Sequence, residues 1–375
     1  MARMSTQDRD TSAGGSAPAA AAARPGGLAG LAGRIGRPNS VSVLVFARDR
    51  GMIVLWVLML VLFSIWARPV FATFTNATLI ANAAAITAIF AAGVAFGVLT
   101  GLLDLSLPGT AAVAGIVAGK VLIGGAPVPI AVLAGLAVGP LVGLANGLIV
   151  LRGMNPLVVT IGTLSVLTGL ASVISGGVPV DGLYALHAIG TDSYLGIPAP
   201  VYVTAGLFLV GTVFLTKTRG GTRMVSVGGN AEAVRRAGVS SDRYVLLGFI
   251  LVSTCAALGG IVIAAFVTSA APTPSTSVLF EALTAVALSG MPLSGGRGSL
   301  PRVLVGALII QTISSALVIK GVQPYWSTVL TGVLLLAALG AERYLTVAVA
   351  NRVVERKPAG ARRRAATPPA EVEGS

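Results

Sequence analysis

The sequence predicts an all-α polytopic membrane protein of about ten transmembrane helices, and three observations carry that expectation. Hydrophobic residues make up 55% of the 375 and charged residues only 10%, with a mean hydropathy of +0.89, more apolar material than one water-soluble core can enclose. The apolar residues fall into runs of membrane-crossing length. Lys and Arg collect between those runs and in the two tails, which gives the runs an orientation. Orientation in a bilayer therefore accounts for the formal charge of +13, and nucleic acid is not an expected partner. Forty-eight glycines and few aromatics suit helices that touch through small faces, because lipid offers no hydrophobic drive for association.

Residues 1–48 are rich in Ala, Gly, Ser, Pro and Arg and lack the apolar stretch and cleavage site of a signal peptide, so they read as a disordered cytoplasmic tail. A transmembrane domain follows over 49–350, and 351–375, with Arg362 to Arg364, reads as a basic cytoplasmic tail near lipid head groups. The first span is Met52 to Ala67, with Arg48 and Arg50 inside. Spans two to five cover about Leu79 to Thr100, Thr110 to Ile123, Val128 to Val150 and Leu157 to Ser175. Gly176 to Ala199 carries Asp181 and Asp192 but no Lys or Arg, and is expected outside. The sixth span, Pro200 to Leu215, returns to the cytoplasm. Spans seven to ten cover about Tyr244 to Thr268, Val278 to Met291, Val303 to Ile319 and Tyr325 to Leu345. The expected location is the cell (plasma or inner) membrane, multi-pass, with both termini cytoplasmic. Cys255, the only cysteine, lies in an apolar span and is expected to pack, and His187, the only histidine, falls in the outer loop.

Between spans six and seven, Lys217 to Arg243 is the long polar segment of the chain and holds six Lys and Arg. Its centre reads as a short helix capped by Asn230, built from Ala231, Glu232, Ala233, Val234, Arg235, Arg236 and Ala237, and stopped by Gly238. A helix this short needs something to pack on, either its own protein's membrane ends or a soluble partner.

Spans two to five begin outside and spans seven to ten inside, so the two groups read as an inverted repeat. At the sequence level the support is a loose Gly, Leu, Ser likeness between G-L-L-D-L-S-L-P-G-T from Gly101 and G-M-P-L-S-G-G-R-G-S from Gly290, taken as matching junctions. Helix breaks are expected at Gly101, Pro108, Pro156, Gly295 and Gly296. Asp104 and Glu281 are the acidic residues inside the apolar region, each costly unless paired or wet. Asp104 either caps the next helix or lines a pathway, and Glu281 either faces outer water or lines one. Ser106, Asn146, Thr100 and Thr160 offer uncharged hydrogen-bonding groups, and Asn155 is a cap for a helix that opens at Pro156, or a pathway group.

Four segments in order, G-L-L-D-L-S-L-P-G from Gly101, G-L-A-N-G-L-I-V-L-R-G-M-N-P-L-V-V-T-I-G-T from Gly143, G-G-N-A-E-A-V-R-R-A-G-V from Gly228 and L-S-G-G-R-G-S from Leu293, resemble the ribose-type permease subunits of ABC transporters. The resemblance extends over roughly Phe74 to Tyr344. Departures are Leu103, Leu107 and Pro108 in the first segment, and Ser289 to Leu293, where a Gly-Gly pair is replaced and Pro292 gained.

The resemblance implies a subunit that forms the translocation pathway of a monosaccharide importer, for ribose, xylose or a similar sugar or polyol. Gly229 to Gly238 would couple to a separate ABC ATPase subunit, and Asp104, Ser106, Asn155, Thr160 and Glu281 would be pathway candidates. Partners implied are that ATPase, an extracytoplasmic sugar-binding protein, a second permease chain (the same chain or a paralogue) and membrane lipid. The sequence has no G-x-x-x-x-G-K-(S/T) phosphate loop, so ATP and Mg are expected on the partner; no cofactor, metal or catalytic residue is expected here. A branched-chain amino acid or other small-solute permease shares the architecture, and an ion-coupled secondary transporter using Asp104 and Glu281 is the rival of another class. A membrane enzyme would need a cluster of nucleophile, base and metal ligands that the sequence does not show.

Overall fold

The computed structural model describes residues 40–355, with side-chain surroundings over 51–344. The remainder of both terminal segments lies outside the described residues. Twelve helices appear among them, joined by short links and a few two-residue strands.

The first helix, α1 (Ser40–Trp66), begins twelve residues before the expected span and takes in residues 40–48, which composition had assigned to the tail. Next come α2 (Phe74–Thr100), α3 (Leu107–Ile123), α4 (Val128–Leu151) and α5 (Pro156–Ser175). The loop after α5 holds β1 (Val180–Asp181), the four-residue α6 (His187–Gly190), β2 (Ser193–Tyr194) and β3 (Ile197–Pro198). Then follow α7 (Ala199–Lys217), α8 (Arg219–Arg236), α9 (Ser241–Val267), β4 (Ser269–Ala270), α10 (Thr276–Leu288), α11 (Leu300–Ile319) and α12 (Pro324–Glu355), the last running beyond the expected start of the basic tail at 351.

Among the described residues seven helices are long and apolar enough to cross a membrane, and three shorter apolar stretches, Gly51–Trp66, Leu107–Ile123 and Thr276–Leu288, complete the ten expected spans. The thirteen residues of α10 reach about 20 Å at 1.5 Å per residue, less than a bilayer core of about 30 Å. The eighth span is thus shorter than the sequence suggested, and residues 289–299 continue it as an irregular loop.

Local chemistry sets the boundaries. Gly101 closes α2 at φ +81°, a left-handed cap that a Cβ would penalise. Asn155 Oδ1 accepts the Leu157 N–H at 2.9 Å and Pro156 occupies the first turn of α5. Pro108 stands likewise in the first turn of α3, so it opens a helix instead of breaking one.

The packing repeats. α3 and α4 both lie on α9, as α10 and α11 both lie on α2; α3 touches α4 and α5 as α10 touches α11 and α12; α4 meets α5 as α11 meets α12. Exchanging α2–α5 for α9–α12 leaves the set of partners unchanged, with the α2–α9 contact at the centre. The cores follow: α2 is buried along most of its length and α9 over more than half, whereas hardly any residue of α12 over Pro324–Tyr344 is fully buried. Both α2 and α9 end in left-handed residues, Gly101 and Thr268 at φ +54°. The junction equivalent to 101–106 is therefore 268–275. This corrects the expected match of 101–110 with 290–299: those two segments are neighbours in space, not counterparts.

Small residues allow the central contacts. Gly139 and Gly143, four apart on α4, lie where a Cβ would come 2.6 Å from the Ser253 carbonyl and 2.6 Å from the Ile250 Cα of α9. At one end of the bundle, β1 pairs antiparallel with β4, Val180 opposite Ala270, and the Lys320 ammonium stands 5.3 Å from the Trp66 ring centroid. The opposite end gathers Gly101, α8 and the 289–299 loop.

Candidate functional site

The polar segment 217–243 forms two helical pieces, where one was expected. Thr218 Oγ1 accepts the Gly221 N–H at 3.0 Å and starts α8; Asn230 then leaves the helix at φ −163°, ψ 91°. Its Oδ1 accepts the Ala233 N–H at 2.9 Å, so Asn230 caps the second piece. Gly238 stops it at φ +78°, with its N–H on the Arg235 carbonyl at 2.9 Å and the Val239 N–H on the Val234 carbonyl at 3.2 Å.

The second piece has two sides. Ala231 and Val234 are half-buried, while Glu232, Ala233, Arg235, Arg236 and Ala237 are exposed. The apolar residues of this piece therefore divide: Ala231 and Val234 face their own protein, and Ala233 and Ala237 face outward, one turn apart. Glu232 accepts from both Arg235 and Arg236. Those hydrogen bonds hold its carboxyl below the usual carboxylate range, and the same partner raises Arg235. A depressed carboxylate keeps its interaction above its unfolded-state pKa and loses it only as pH falls through the lower folded value. Docking of an ATPase through this piece, which the resemblance implies, is accordingly expected to be insensitive to pH between about 6 and 8, which pull-down across that interval will check.

The first piece carries Met224 and Val227 into the core and ends at a crossing of three backbones. A Cβ on Gly228 would run into the Leu99 carbonyl oxygen and lie 2.9 Å from the Gly101 nitrogen; one on Gly295 would lie 2.8 Å from the Gly101 Cα and 3.0 Å from the Gly228 oxygen. Gly296 sits against Gly229 in the same way. The end of α2, the bend of α8 and the α10–α11 loop thus approach backbone to backbone at glycines. Gly295 and Gly296 are also at φ +94° and +72°. Of the residues expected at helix breaks, Gly101, Gly295 and Gly296 come together here, joined by Gly228, the first residue of the G-G-N-A-E segment and one before the expected coupling residues Gly229 to Gly238.

Asp104 lies just past that crossing, buried, in the link between α2 and α3. Its Oδ1 accepts the Ser106 N–H at 2.8 Å and the Ser106 hydroxyl at 2.6 Å, and its Oδ2 accepts Ser253 at 3.4 Å. Asn146 Nδ2 donates to Ser106 Oγ at 3.0 Å, and Thr163 donates to Asn146 Oδ1 at 2.6 Å. One chain of hydrogen bonds therefore ties the α2–α3 link to α4, α5 and α9. Asp104 thus shapes the link that enters α3 without capping that helix, and helps tie the link to α4, α5 and α9. Ser253 and Thr163 had no sequence signal, being single hydroxyls in apolar helices. Asp104→Ala would strand several buried donors and should destabilise the chain by about 2–4 kcal/mol, with Asp104→Asn milder; thermal unfolding in detergent measures both.

Thr160 is buried and donates to the Leu157 carbonyl at 3.3 Å, and Thr100 to the Phe96 carbonyl at 2.8 Å, within their own helices. Asn155 is exposed at the start of α5. Glu281, on α10, is apart from all of these. Its Oε2 accepts Thr87 of α2 at 3.1 Å and Gln311 of α11 at 3.0 Å, and Gln311 also donates to Thr87 at 2.8 Å. Gln311 could have been singled out as the amide in the apolar run L-I-I-Q-T-I.

Residues 76–339 match the family described as Branched-chain amino acid transport system / permease component. The ribose import permease of Bacillus subtilis (strain 168) is 34% identical over 264 residues, 69% of this chain and 82% of the relative. The L-arabinose transport system permease of Escherichia coli (strain K12) is 33% identical over 297 residues, 78% of this chain and 90% of the relative. The D-allose transport system permease of the same strain is 30% identical over 279 residues, 74% and 86%. No solved structure matches the chain significantly. With the matched region taking in both helix sets and α8 between them, this chain belongs to the permease-component family of ABC importers that includes those import permeases.

Proposed function

We propose that the chain forms the translocation pathway of an ATP-driven importer for a monosaccharide or polyol. In this reading a separate ATPase, which uses ATP and Mg, docks on the 217–243 segment, an extracytoplasmic binding protein delivers the sugar, and a second permease chain completes the pathway. Membrane lipid surrounds the bundle, and both termini face the cytoplasm.

The observation that carries it is the glycine crossing. An exposed helical piece suited to docking is continuous with a backbone contact on the break of α2, the most buried helix, so movement of α8 bears directly on the pathway. The sugar class rests on the ribose, arabinose and allose named for the relatives. Orientation rests on charge: Arg152, Arg219, Arg223, Arg297 and Arg302 lie at the α8 end, against Arg68, Lys120 and Lys320 at the other, which also holds Asp181 and Asp192.

Uptake of labelled ribose, L-arabinose, D-allose and leucine by cells with and without the chain tests it. Loss of uptake of one sugar on deletion, restored by the chain and dependent on ATP, is expected. Loss of leucine uptake alone would replace the substrate class. Uptake driven by a proton or sodium gradient after ATP depletion would favour an ion-coupled carrier.

A further inference from the structure

We infer that the cleft between α10, α11 and α12 is a binding site for a neutral polyol at the end of the chain opposite α8, with Glu281 and Gln311 as its principal acceptors. The inference deepens the sugar-importer reading and rests on it. The cleft has a volume of about 130 Å³ and is lined by Glu281, Gln311, Ser314, Ser327 and Thr328 among apolar neighbours. Thr87 and Gln311 donate to one carboxylate oxygen of Glu281, Oε2. Among the described residues Glu281 Oε1, Gln311 Oε1 and the Thr328 hydroxyl make no hydrogen bond, so the cleft offers open acceptors held in place by a fixed triangle.

The corresponding groove of the first helix set, near the last turns of α4 and the first turns of α5, is lined mostly by apolar side chains such as Leu141, Val142, Val158 and Leu167, together with Thr163. The first set bonds its own carboxylate and amide oxygens, those of Asp104 and Asn146, to Ser106, Ser253 and Thr163, whereas the second set leaves acceptor atoms of Glu281 and Gln311 open to the cleft, a costly arrangement in apolar helices. What those groups share with a polyol is complementarity: hydroxyl donors meet free acceptors, with no net charge on the ligand. Size separates a polyol from a bare cation, since a cation draws oxygens to within about 2.6 Å, while this cleft holds the volume of about four waters.

The test uses the whole chain in membranes. Cys255 is buried, so Thr328→Cys introduces an accessible thiol whose modification by a membrane-impermeant reagent is read from outside. D-ribose, L-arabinose, D-allose and mannitol are titrated as protectants. At least one should protect, and Glu281→Gln and Gln311→Leu should each raise its half-protecting concentration about tenfold, the loss expected of a hydrogen bond to or beside a charged group. No labelling, no protection by any of these compounds, unchanged protection in Glu281→Gln, or protection by sodium or protons without sugar would each overturn the inference. Cellular uptake measured in parallel separates the two levels: retained sugar uptake without protection removes only this site, whereas absence of any sugar uptake removes the importer reading.

Discussion

Replacing Gly228 with alanine is expected to lower ATP-driven uptake at least about tenfold while the chain still inserts. The added methyl meets the Leu99 carbonyl and the Gly101 amide, backbone atoms that cannot rotate aside. Overpacking of this kind costs about 1–3 kcal/mol, and relief requires α8 to lift from α2 or α2 to shift its break. Either movement misplaces the element through which docking would act. Gly229→Ala is the matched control, because a Cβ there finds its nearest atom, the Gly296 Cα, at 3.8 Å, an ordinary contact. Uptake, surface amount and the size-exclusion profile of both variants in detergent decide the matter. Equal uptake by the two would show that the crossing transmits nothing.

The second large effect is expected from Ala233→Asp combined with Ala237→Asp. Both side chains are exposed, both lie on the outward side of the second helical piece, and neither supports the fold from within. A partner that buries them would have to desolvate two added carboxylates, each costing several kcal/mol where it stays unpaired. Co-purification of the ATPase should be lost while the thermal unfolding profile of the chain stays close to the parent. Ala231→Asp together with Val234→Asp serves as a contrast, since those residues face inward and should destabilise the chain itself. Retained ATPase with the outward pair changed would move the docking surface elsewhere.

The helices and their order were legible in the sequence because apolar run length and the placement of Lys and Arg are one-dimensional signals of what a bilayer accepts. Caps were legible for the same reason: Asn155, Asn230, Gly101 and Gly238 act on neighbours a few residues away. Less of the site could be read. Asp104 and Glu281 drew notice as charges in apolar surroundings, but their partners Ser253, Asn146, Thr87 and Gln311 come from other helices. A serine or threonine in such a helix ordinarily bonds its own backbone, as Thr160 does, so type alone does not tell a crosslink from a satisfied hydroxyl.

By itself the sequence determined that the chain is a multi-span helical protein, where its apolar spans lie, and which family it resembles. Tertiary structure alone decided which junctions of the repeat correspond, pairing 101–106 with 268–275, because that depends on which helices pack together. It also decided that Gly101, Gly228 and Gly295 meet. The absence of a side chain leaves no trace of which backbone it makes room for until the chain has folded.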